Sequence, residues 1–230
     1  FTTLMSTLSQ RIMNLTESAT LAMARKSREL TQQGHDIISL SLGEPDFNTP
    51  DFIKEAAKKA IDENFTKYTP VNGYLDLREA ISIKFKRDNN LDYTPDQIIV
   101  STGAKQSIAN AVMALVDEGD EVIIPTPFWV SYEEMVKLAG GKCVFVKTTL
   151  ESDFKITGDK LKKAISPKTK LMIYSSPCNP TGSVYGEKEL DAIAQVMREN
   201  PRLFVIADEI YEHINFVGKH LSLATYSDIK

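Results

Sequence analysis

The sequence predicts an α/β fold: a mostly parallel β-sheet with helices on both faces. Three observations carry this. Short apolar runs recur at Ile98–Val100, Val122–Ile124, Val144–Val146, Leu171–Tyr174 and Leu203–Ala207. Each is nearly continuous in apolar residues rather than alternating, as expected of a strand buried on both faces. Between them lie segments with helical periodicity, "AKQSIANAVMALVDEG", "WVSYEEMVKLAGG", "TGDKLKKAIS" and "EKELDAIAQVMREN", and strands alternating with helices imply βαβ units with right-handed crossovers.

Upstream of this region the elements are less regular. "ATLAMARKSRELTQQG" reads as an amphipathic helix stopped at Gly34, a residue suited to a helix C-terminus. "DIISLSL" reads as a short strand running into the turn-rich "GEPDFNTP". A helix over "DFIKEAAKKAIDE" is expected to start with Asn48 or Thr49 as N-cap and Pro50 at the first helical position. "GYLDLREAISIKFKRDN" follows, with Leu77, Ile81 and Phe85 at helical spacing.

Composition narrows the function. With 230 residues, 42% hydrophobic and 25% charged, the chain can bury the core of one large domain or two small ones. A net charge of −4 without any basic run argues against nucleic acid as the main partner. No apolar stretch approaches the roughly 20 residues of a membrane span, and the N-terminus lacks a signal-peptide layout. Cys143 and Cys178 are the only cysteines, which fits a reducing compartment, and a cytoplasmic location is expected. The chain opens on Phe1 and reaches its first Met at Met5, so "FTTL" is expected to be a fragment edge or added residues.

In open parallel sheets, ligands bind beyond the C-terminal ends of the strands. That rule collects Ser101–Lys105, Pro125–Trp129, Ser175–Gly182 and Asp208–Tyr211 on one rim. "VSTGAKQS" is a strand, a Gly-containing turn and a helix start, where backbone N–H groups can hold a phosphate; a plain βα turn using Gly103 is the alternative. In "SSPCNPTG", Pro177 and Pro180 stiffen the loop and hold Asn179 in one direction. Cys178 reads as a small filler, since no His or Asn arrangement supports a nucleophile. Trp129, the sole tryptophan, either stacks on a flat ligand or anchors the next helix. "LFVIADEIYEH" carries Asp208 to the end of a buried strand, where an unpaired carboxylate is costly, so a cationic or hydrogen-bonding partner should face it. A Walker B role for Asp208-Glu209 fails, because neither Gly141-Lys142 nor Gly218-Lys219 has the spacing of a phosphate-binding loop. His35, His213 and His220 have no metal-site spacing and no metal is expected.

In this order, "LSLGEPDFNTP", "KYTPVNGYLDLREAI", "STGAKQS", "PTPFWVSY", "SSPCNPTG" and "ADEIYE" resemble the class I pyridoxal-phosphate aminotransferases, nearest the bacterial aspartate aminotransferase subgroup. The resemblance covers about Leu15 to the last residue and implies the fold-type I architecture. It implies that Asp208 pairs with the protonated pyridine nitrogen of pyridoxal 5'-phosphate, keeping the ring an electron sink. Tyr211 and Asn179 match residues that hydrogen-bond the cofactor's 3-oxygen, Trp129 the ring-stacking aromatic, and Gly103, Ala104 and Lys105 the phosphate-cupping turn. Tyr68 matches a tyrosine that reaches the phosphate in the partner subunit, which implies a homodimer with shared active sites. Gly43, Trp129 and Asn179 match substrate-contacting positions. Lys105 matches a lysine associated with the distal carboxylate of aspartate, with residues near Ser18 and Thr20; a solvated lysine is the alternative.

The same resemblance predicts departures. The Schiff-base lysine of the family falls on the order of ten residues past Lys230 by the family's spacing, and Lys230 lacks its sequence context. Two family arginines, the last strand of the large domain and most of the small domain are also expected beyond the chain. Residues 1–45 are expected to contribute to the small domain and substrate site, and 46–230 to form an incomplete cofactor-binding domain. The implied parent transfers an amino group from an amino acid, aspartate foremost, to 2-oxoglutarate, and these residues alone are expected to be inactive. The alternatives are an aromatic or alanine aminotransferase, a β-lyase, a cofactor-sensing regulator, or a catalytically dead subunit.

Overall fold

The computed structural model describes residues 8–44 and 46–229; Lys230 and the "FTTL" edge lie outside them. The chain divides into two compact units, one comprising residues up to 15 together with 75 onward, the other residues 16–74.

Among the described residues the larger unit contains four parallel strands, β1 (Glu121–Thr126), β2 (Lys142–Lys147), β3 (Thr169–Ser175) and β4 (Phe204–Asp208), in the order β2-β1-β3-β4. Its main helices are α4 (Leu75–Lys84), α5 (Ala104–Leu115), α6 (Ser131–Leu138), α7 (Gly158–Ala164) and α8 (Glu187–Glu199). The pleat sends successive side chains to opposite faces. Leu171 and Ile173 of β3 join Val122 and Ile124 of β1 against Ile108 and Val112 of α5 and Tyr132, Met135 and Val136 of α6. Met172, Tyr174 and Ile123 face the other way, against Leu161 of α7 and Leu190, Ile193, Ala194 and Val196 of α8. Two apolar clusters on one sheet explain why the strands read as unbroken apolar runs.

The expected strand at Ile98–Val100 does not form, and Ile99 is 72% exposed. A ladder needs a neighbour to accept its N–H groups, and no described segment pairs with these residues. The adjoining Ser101–Lys105 turn nonetheless stands where the rim requires it. The helix over "GYLDLREAISIKFKRDN" does form as α4, but its end widens into a π turn over Phe85–Asn89, closed by Asn90 at φ 54°.

The smaller unit contains α2 (Ala19–Gln32) and α3 (Asp51–Asp62); the four-residue helix α1 (Gln10–Met13) precedes it in the chain. Gly34, at φ 90°, follows the end of α2 as the sequence indicated. The start of α3 is shifted by one residue: Pro50 itself is the N-cap, with ψ 142°, and its carbonyl accepts from Ile53 and Lys54. Proline has no N–H to satisfy, so it can occupy that half-turn without a side-chain cap. "DIISLSL" is irregular rather than a strand, with Ile38 and Leu40 exposed and no pairing segment among the described residues.

Candidate functional site

The pleat and the register set the position of the central carboxylate. Ser175 pairs with Asp208 and Ile173 with Ile206, so Asp208 falls on the face that packs against α5 and α6. There it is buried, and Tyr132 on α6 donates its hydroxyl to Asp208 Oδ2 at 2.6 Å. The Ile210 amide donates to Oδ1 at 3.3 Å. The hydrogen-bonding partner demanded by the sequence is therefore a tyrosine. Burial first, then the carboxylate beside it, pushes the Tyr132 phenol far above its ordinary range, so it stays a donor. Sequence reasoning missed Tyr132. Its signal was present: Tyr132, Met135 and Val136 form the buried face of one helix, and that face had to carry one polar group opposite Asp208.

Around Asp208 lies a cavity of about 290 Å³, lined by Gly103, Ala104 and Lys105 of the α5 turn, Trp129 and Tyr132, Ser175, Asn179, and Ile210 and Tyr211. Nine of the residues expected on the rim are thus brought together. Trp129 meets Tyr132 edge-on at 5.4 Å between centroids, and the Lys105 ammonium sits 5.1 Å from the Trp129 ring, a cation–π contact. The loop with Asn179 is closed by Cys178 N–H to Ser183 O and Gly182 N–H to Cys178 O, at 2.9 and 2.7 Å. The Ser176 hydroxyl accepts from the Tyr185 amide at 3.0 Å. Gly43 and Tyr68 belong to the unit of residues 16–74, Gly43 in an irregular stretch and Tyr68 fully exposed.

Gly103 caps α5 at φ 82°, ψ 161°, a region essentially reserved for glycine. No atom lies within 4 Å of where its Cβ would stand, so backbone conformation alone demands glycine here. Gly103→Ala is expected to cost about 1–3 kcal/mol, read as a lowered urea midpoint. A midpoint equal to wild type would show that the turn relaxes freely.

Glu209, the neighbour of Asp208, points instead to the largely buried His220, with Oε2 3.1 Å from its Nε2. Among the described residues, no cluster of His, Cys, Asp and Glu could hold a metal ion. None of the described helices is long and apolar enough to cross a membrane.

A buried carboxylate, a helix N-terminus, an indole and two further polar side chains thus line one cavity. The family profile described as aminotransferase class I and II matches residues 35–229, and the chain belongs to that family. The cofactor of the family is pyridoxal 5'-phosphate. The chain is 55% identical over 214 residues to a probable aspartate/prephenate aminotransferase of Rickettsia bellii, covering 93% of this chain and 54% of that protein. It is 50% identical over 222 residues to an aspartate aminotransferase of Bacillus subtilis, covering 96% and 56%. The structure of aspartate aminotransferase from Thermus thermophilus with maleate superposes with a TM-score of 0.91 at 44% identity, over 94% of this chain and 57% of that one. The chain thus spans about half the length of the relatives it matches.

Proposed function

We propose that this chain is the cofactor-binding portion of a pyridoxal-phosphate aminotransferase that moves an amino group from aspartate to 2-oxoglutarate. The observation that carries this reading is the buried Asp208 carboxylate lining the cavity, held by Tyr132 and the Ile210 amide. Ionised, a carboxylate has room for about four donors, and these two leave capacity for a protonated ring nitrogen.

The residues present fit the cofactor. The amides that open α5 at Gly103–Lys105 suit its phosphate, Trp129 its ring face, and Asn179 and Tyr211 its 3-oxygen. When bound, pyridoxal phosphate takes up the electrons released as an amino acid's Cα–H bond breaks. Asp208 holds the ring nitrogen protonated by its charge, and Tyr132 fixes the carboxylate that does so. Asn179 and Trp129 orient the substrate's α-carboxylate, Gly43 meets the substrate through its backbone, and Lys105 offers a compact positive charge to the distal carboxylate of aspartate. In the same reading residues 1–45 contribute to a smaller domain and the substrate site, 46–230 form the incomplete cofactor domain, and Tyr68 serves the phosphate of a partner copy in a homodimer. The protein works in the cytoplasm.

Lys105 is the only lysine lining the cavity among the described residues, and its role here is phosphate or substrate binding rather than attachment of the cofactor. Incubation with pyridoxal phosphate, borohydride reduction and intact-mass measurement are therefore expected to show no one-to-one adduct on a specific lysine of the 230-residue chain. Such an adduct would refute this assignment of the lysines. Quenching of the sole tryptophan, Trp129, by 4-deoxypyridoxine 5'-phosphate reads non-covalent binding directly. Failure to quench or bind at millimolar ligand would refute the site.

A further inference from the structure

The π turn after α4 has a geometric consequence. In an α-helix, residues five apart are rotated by about 140° and look in different directions. Bonding from residue i to i+5 brings them back onto one face. Lys84 and Asn89 are five apart across the Phe85–Asn89 turn, and both reach the same side chain, Glu212. Lys84 Nζ donates to Glu212 Oε1 and, at 2.9 Å, to Asn89 Oδ1. Asn89 Nδ2 donates to Glu212 Oε2 at 2.9 Å. The three side chains close a ring of hydrogen bonds in which each carboxylate oxygen has its own donor. Lys84 and Glu212 are 23% and 18% exposed, well below an ordinary surface ion pair, so the contact is less screened than most.

Glu212 directly follows Tyr211, which lines the cavity. The intervening backbone is a tight turn, with Glu212 N–H donating to Glu209 O at 3.0 Å and Ile214 N–H to Tyr211 O at 2.8 Å. Fixing Glu212 therefore limits where the Tyr211 side chain can leave the backbone. We propose that Lys84, Asn89 and Glu212 are positioning residues: a clamp, made possible by the π turn, that holds Tyr211 in place toward the ligand's phenolic oxygen. Burial alone would raise the Glu212 carboxyl, but the bonds from Lys84 and Asn89, with the positive charge of Lys84 nearby, outweigh it and hold it below the usual carboxylate range. The carboxylate is thus ionised and gripped at neutral pH. This inference rests on the reading of Tyr211 as a ligand for the cofactor's 3-oxygen.

The test is a double-mutant cycle between Glu212→Gln and Tyr211→Phe. The affinity for 4-deoxypyridoxine 5'-phosphate is read by Trp129 quenching, with this ligand chosen because it keeps the 3-oxygen and needs no covalent attachment. Each single variant is expected to weaken binding about tenfold, and the double variant to bind no more weakly than Tyr211→Phe alone. Equal binding by Tyr211→Phe and wild type would overturn the role of Tyr211 itself, and the clamp with it. A loss in Tyr211→Phe that multiplies with the loss in Glu212→Gln, or no loss in Glu212→Gln, would overturn the clamp alone, because a merely structural contact acts independently of the hydroxyl. Should Glu212→Gln be unfolded at the assay temperature, Lys84→Gln, which leaves the Asn89–Glu212 bond, enters the same cycle with the same expected and overturning outcomes.

Discussion

Asp208→Asn is expected to weaken binding of 4-deoxypyridoxine 5'-phosphate by between about tenfold and a hundredfold, the span given by about 1.5–3 kcal/mol for a hydrogen bond to a charged group. The substitution keeps shape and removes charge. The Asn carbonyl oxygen can still accept from the Tyr132 hydroxyl that now meets Oδ2 at 2.6 Å, while the longer bond from the Ile210 amide to Oδ1 at 3.3 Å loses its acceptor. What is lost is the anion facing the ring nitrogen. Without it a protonated nitrogen would be desolvated and unpaired, and the ligand would bind with that nitrogen neutral. The second signature is therefore spectral: the pH at which the bound ligand's absorption changes should fall in Asp208→Asn, because the cationic ring has lost its partner. Trp129 quenching gives the affinity, and an unchanged dissociation constant would remove Asp208 from the site.

The candidate site was more legible in the sequence than the upstream fold, and particular residues show why. Asp208, Asn179 and Trp129 each stand at or just beyond the end of a strand, and the rule for ligand position was enough to gather them; the Gly103 turn joins them although the strand expected before it does not form. Their convergence around one cavity needed no long-range information beyond a parallel sheet. Ile98–Val100 and "DIISLSL" failed as strands for the opposite reason. Their apolar, β-branched residues satisfy a local pattern, but a strand exists only with a partner, and pairing is not encoded locally. Pro50 was misplaced by one position because the same residue type can begin a helix from inside or from its cap. The π turn was invisible, since its effect lies in which side chains it aligns, and Glu212 is 123 residues away from Asn89. Tyr132 lay between: the helical spacing marked it as buried, but only the register of Ser175 with Asp208 shows which strand end it meets.

The largest loss of stability is expected from Ile173→Ala. Ile173 is fully buried at the centre of β3, paired with Ile206 of β4 and packed in the cluster that joins α5 and α6 to the sheet. Removing its branched side chain forfeits the transfer free energy of the lost carbons and leaves a cavity between strand and helix, together about 2–5 kcal/mol. The neighbours cannot collapse readily to fill it. Val122, Ile124 and Leu171 are held by the ladder, while Val136 projects from a helix joined by short connections to β1 and β2, and Val112 from one joined by a short connection to β1. Phe204→Ala is the matched control, since Phe204 is 47% exposed and its loss opens no enclosed space. Urea unfolding followed by far-UV circular dichroism should place the Ile173→Ala midpoint well below that of Phe204→Ala. A loss under about 1 kcal/mol would mean that this face of the sheet is loosely packed. Ile173 also lies beside Tyr132 in the same cluster. The cavity should therefore slacken the helix that presents the Tyr132 hydroxyl to Asp208, and ligand affinity should fall along with stability, although Ile173 is not among the residues lining the cavity. That coupling separates a packed floor beneath the site from a sheet that merely carries it.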